Sequence, residues 1–141
     1  MNKPVLAKSK AITIFLVFAL GYFIGSPAMN LFETEAYLDN SVKINNSIIK
    51  TNTNLTSLKD KRVKLGIRSE FIKIANNQKD NLLDVNIDKV EDLGNFKLLT
   101  AKMGNLTIKS KINRDTEVPS SNVKLHIPAE KCCVYKDEKL I

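Results

Sequence analysis

Past Phe32, the apolar residues of this chain recur closer to every second position than to the helical period of about 3.6. That spacing predicts strands over 33–38, 41–49, 62–67, 82–90, 96–103, 106–112, 123–127 and 132–135. Turn-forming residues separate them: Asp39-Asn40, Asn76-Asn77, Gly104-Asn105, and the run from Val118 through Pro119 to Asn122. Met103-Gly104-Asn105-Leu106 reads as a tight hairpin, because Gly and Asn both accept a positive φ. Helical patterning is weak; only 69–75 leaves room for a turn or two. Many short strands with regular turns predict an all-β, closed or nearly closed barrel.

The 141 residues fit one small domain, or one with an N-terminal appendage. With no Trp and 6% aromatic residues, the core has to be built from Ile, Leu and Val. A net charge of +7 could favour anionic partners, but the lysines are scattered along the chain, and no specific nucleic-acid binding is expected. The aromatic residues of the body (Tyr37, Phe71, Phe96, Tyr135) are likewise too dispersed for a base-stacking platform. Cys132 and Cys133 are adjacent, so in a strand they point to opposite faces and a disulfide between them would be strained. They read as one packed and one surface thiol. With His126 alone, neither metal nor cofactor is expected.

The N-terminal part admits two readings. Residues 11–32 carry no charge, Lys3, Lys8 and Lys10 precede them, and a bilayer span needs about 20 apolar residues. Taken alone, this is a single-span anchor or a signal peptide, with membrane association through 11–32. Gly25-Ser26-Pro27 is a poor end for a spanning helix, however, because Pro disfavours helix in the residue before it.

A second reading comes from four segments: the run from Phe23-Ile24-Gly25-Ser26-Pro27 to Met29-Asn30, then Leu65-Gly66-Ile67-Arg68-Ser69-Glu70, Val90-Glu91-Asp92-Leu93-Gly94, and the tail from Ile127 to Leu140. In this order and spacing they resemble the C-terminal regulatory region of ATP-binding subunits from sugar- and glycerol-phosphate-type ABC importers. The resemblance implies a small OB-like barrel of the transport-associated type, with 1–18 an unrelated leader, 19–32 a linker and 33–141 the regulatory domain. Gly25, Ser26, Pro27, Met29, Asn30, Gly66, Ile67, Arg68, Glu70, Glu91 and Gly94 are then its structural or interface residues. The implied partner is a second copy or a separately encoded ABC ATPase subunit, in the cytoplasm or at the cytoplasmic face of the inner membrane. The match departs from the family at Ser69, where a proline is usual, and at Phe71, where a histidine often follows; upstream of Ala19 it ends.

Gly66 suits a close approach within a strand, and Arg68 and Glu70 suit a charge-assisted pair. No phosphate loop, ABC signature or Mg²⁺-handling Asp-Glu pair is present in the sequence, so the expectation is a non-enzymatic fragment of such a subunit, or the remnant of its gene. Glu91-Asp92 is no catalytic pair, since neighbours in a strand face opposite ways. The alternative is a membrane-anchored or exported β-domain with an unknown binding function.

Overall fold

The alternation past Phe32 is realised as two antiparallel sheets in the computed structural model, which describes residues 29–141. The first has the order β11-β10-β4-β1-β2-β3, built from β1 (Met29–Ala36), β2 (Ser41–Ile44), β3 (Ser47–Lys50), β4 (Arg62–Arg68), β10 (Cys133–Lys136) and β11 (Lys139–Leu140). The second has the order β5-β9-β6-β7-β8, from β5 (Lys73–Ile74), β6 (Leu82–Asp92), β7 (Phe96–Met103), β8 (Leu106–Asn113) and β9 (Asn122–His126). Single 3₁₀ turns at Thr56–Leu58, Ser69–Phe71 and Ala129–Lys131 are the helical elements among the described residues. The sheets curl around one core of Phe32, Leu65, Ile67, Leu83, Leu99, Ile108, Leu125 and Val134, all essentially inaccessible to water. Each such side chain contributes roughly 1.5–3 kcal/mol. The chain is an all-β, OB-like half-barrel.

Three local expectations change. The strand over 41–49 is instead the β2–β3 hairpin, turning at Asn45-Asn46 with Ile44 opposite Ser47. Asn45 takes φ +53, which an Asn side chain tolerates better than most, so a polar pair that fits strand spacing becomes a turn. β1 begins at Met29, ahead of the expected 33, because the inward position at 30 is filled by a polar residue that interrupts the apolar pattern. The C-terminal segment adds β11 across a two-residue turn, with Asp137 at φ +52 and Glu138 at φ +66. Two positive φ values in succession are those of a type I′ hairpin. The Gly104-Asn105 hairpin is present, with Met103 opposite Leu106 and Gly104 at φ +63.

Two asparagines join the sheets where strand pairing stops. Asn30, 8% exposed, accepts from the backbone N–H of Lys109 through Oδ1 (2.8 Å) and donates from Nδ2 to the Lys109 carbonyl (2.9 Å). One carboxamide thus supplies β1 with an extra rung to β8. Asn81, 7% exposed, does the same at the other seam: the Lys50 N–H donates to its Oδ1 (2.9 Å), and its Nδ2 donates to the carbonyls of Lys50 and Ile127 (2.8 Å each). Its own carbonyl accepts from the N–H of Ile127 (2.9 Å). A carboxamide has the donor and acceptor geometry of a peptide group, which is what lets it stand in for a strand.

Candidate functional site

The segments Met29-Asn30 and Gly66-Ile67-Arg68, separated in sequence, are direct neighbours in the first sheet. β1 and β4 pair Met29 with Arg68, Asn30 with Ile67 and Leu31 with Gly66. Alternation then divides them: Asn30 and Ile67 turn into the core, while Met29, Leu31, Gly66 and Arg68 line the outer face. From the other side β10 sets Cys133 beside Gly66 and Tyr135 beside Lys64.

Gly66 is the hub of that face. A Cβ there would lie 2.9 Å from Met29 Sδ, 3.1 Å from the Tyr135 ring and 3.6 Å from Leu31 Cδ2. The missing side chain lets a thioether, a phenol ring and an isobutyl group converge on bare backbone. Tyr135 is buried there, which raises its pKa, with a smaller contribution from Cys133. Leu31 at 37% and Leu140 at 62% remain exposed beside it, giving the face an apolar character. Charges of both signs surround it: Glu33 lies 3.6 Å from Arg62 and 3.7 Å from Lys64, and Arg68 Nε donates to Glu70 Oε1 at 3.2 Å. Exposed pairs of this kind contribute at most about 1 kcal/mol each, so their role is in steering and register.

The remaining motif residues lie elsewhere. Glu91 and Gly94 are at the far end of the second sheet, where Glu91 approaches Lys89 (3.9 Å) and Gly94, at φ +100, forms the β6–β7 turn. The Gly94 N–H donates to Asp92 Oδ1 (2.9 Å), and this bond is the main cause holding the Asp92 carboxyl below its ordinary pKa, with Arg114 assisting. These residues shape a turn and do not join the Gly66 face. Gly25, Ser26 and Pro27, with the leader and most of the linker, lie outside the described residues. Both thiols are half-buried. Cys132 packs against the core with its Sγ 3.4 Å from the Pro128 carbonyl, and burial pushes its pKa up to about 12.

One cluster was invisible along the sequence. On the outer face of the second sheet Thr100 of β7 is flanked by Lys89 of β6 and Lys109 of β8, each its direct cross-strand partner. Thr100 is 4% exposed, and its Oγ1 is buried without a hydrogen-bond partner. An unmade bond of this sort costs about 1–3 kcal/mol.

Two curled antiparallel sheets closed by side-chain amides define the class: a small OB-like β-domain. Its likeness in fold extends to ModG, a cytoplasmic molybdate-binding protein solved with molybdate bound, which aligns with a TM-score of 0.61 over 76% of this chain and 94% of that one. Sequence identity is 10%, so the likeness is one of fold. No protein-family model matches the chain, and no curated protein sequence matches it. Among the described residues, no helix is long and apolar enough to cross a membrane.

Proposed function

We propose that this chain is a regulatory and dimerisation module of the kind attached to ATP-binding subunits of sugar- or glycerol-phosphate-type ABC importers, without enzymatic activity of its own. The observation that carries the proposal is the outer face centred on Gly66, where two motif segments meet strand to strand and leave Leu31 and Leu140 exposed. The occupant is a second copy. The face carries Glu33 with Arg62 and Lys64, and Glu70 with Arg68, so both signs are present on one surface. A two-fold axis sets a patch against itself, and a mixed-sign rim is complementary to its own rotated copy. A cooperative binding mechanism has been suggested for ModG, which is similar in fold, and cooperativity of that kind is compatible with self-association.

Sedimentation equilibrium tests this. The chain is expected to dimerise, and Leu31→Glu, which places a charge inside the apolar centre, to weaken the dimer at least about thirtyfold, or about 2 kcal/mol. Leu31 is exposed in the single chain, so the variant should fold normally. A protein that stays monomeric, or a dimer indifferent to Leu31→Glu, rules the proposal out.

The same proposal places the protein in the cytoplasm or loosely at the inner face of the membrane. Alkaline extraction of membranes from cells expressing the tagged full chain is expected to release it. Retention in the extracted membrane would establish instead an anchored β-domain, held through residues 11–32.

A further inference from the structure

We propose that the outer face of the second sheet binds a phosphate-class oxyanion, seated over Thr100 between Lys89 and Lys109. The register fixes the frame: Lys89, Thr100 and Lys109 lie side by side on three adjacent strands. Neighbouring strands are about 4.8 Å apart, so the two lysines start about 10 Å from each other with the threonine midway. Their four-carbon stems easily cover that gap, but two ammonium groups repel unless something negative lies between them.

The chemistry of the three groups narrows the occupant. Lysine ammonium groups donate only. The Thr100 hydroxyl is buried with no partner, and its two lysine neighbours offer it no acceptor. A species that satisfies all three at once has several acceptor oxygens and carries negative charge. Phosphate has both properties; water and neutral alcohols lack the charge. Lys102, two residues along β7, points to the same face and adds a third cation. Lys111 is engaged over the Phe96 ring at 4.4 Å and does not compete. Glu91, on the same face, lies 3.9 Å from Lys89 and offsets part of the positive charge, so Lys109 and Lys102 supply most of the attraction.

The site lies on the opposite sheet from the Gly66 face, so it stands or falls independently of dimerisation. The test uses the full chain, with inorganic phosphate titrated against chloride at constant ionic strength, followed by calorimetry and thermal melting. Saturable one-to-one binding is expected, with a rise in melting temperature. Thr100→Val preserves shape and removes the hydroxyl that lacks a partner; it should melt no lower than the native protein without phosphate. Both Thr100→Val and Lys109→Gln should bind phosphate about tenfold more weakly. Leu31→Glu should bind it normally. The proposal is overturned if the native chain shows no saturable response, or if both variants keep the native affinity. It is equally overturned if a short single-stranded oligonucleotide binds where phosphate does not, because the face would then be reading a polymer.

Discussion

Asn81→Ala is expected to melt about 15 °C below the native protein, a loss of about 4 kcal/mol for a domain of this size. Two costs combine. The substitution removes the carboxamide that pairs with both backbone groups of Lys50 and reaches the Ile127 carbonyl, leaving groups at the seam to find water or go unpaired. It also places a Cβ without compensating hydrogen bonds at φ +61, where a non-glycine residue is disfavoured by about 1–2 kcal/mol. Asn81→Gly separates the two. Glycine accepts the backbone angle but cannot supply the amide, so it should fall between native and Asn81→Ala, about 2–3 kcal/mol down. Thermal melts of the three proteins decide the matter. If Asn81→Ala melts within about 3 °C of native, this amide does not hold the seam.

At the opposite seam, Asn30→Ala is expected to cost about 3 kcal/mol, or about 10 °C in melting temperature. The N–H and carbonyl of Lys109 lose their partner together, and β8 loses its link to β1. Asn30→Asp is the informative companion. A carboxylate still accepts from the Lys109 N–H but meets the Lys109 carbonyl with a second oxygen, so one bond survives and the other becomes repulsive. Amide exchange at Lys109 reads this directly: it should accelerate in Asn30→Ala and stay slow in Asn30→Asp even though both variants lose stability. Fast exchange in both would mean that the Asn30 Oδ1 does not protect that amide.

Period-two alternation makes the strand content legible in the sequence, and the segments around Met29 and Gly66 are legible there as motifs. What alternation could not convey was anything decided between strands. Asn30 occupies an inward position of β1, yet a polar residue there reads as the end of a pattern; its partner, Lys109, is remote in sequence. Asn45-Asn46 fits a strand by spacing and makes a turn by backbone conformation. The Thr100 cluster depends on a finer detail. β6 carries a bulge between Ile87 and Lys89, after which Lys89 is the residue opposite Thr100. Without that extra residue the uninterrupted register would place Asp88 there, and the same face would present a carboxylate. A one-residue shift exchanges the two faces of a strand, and one sequence carries no reliable mark of where the shift falls. The lysines therefore looked scattered because the sheet, not the chain, gathers them.

The place of β1 has a mechanical consequence. It lies between β4 and β2, with its register to β4 running from Met29–Arg68 to Glu35–Arg62, and it is the first strand among the described residues. Tension applied through residues ahead of Met29 acts along β1, across rungs that must give way together. Tension from the C-terminus meets β11 instead, a two-residue strand at the sheet's edge that can peel one bond at a time. A tether at the front of this chain would grip the domain by an inner strand; one at the back would begin to unzip it.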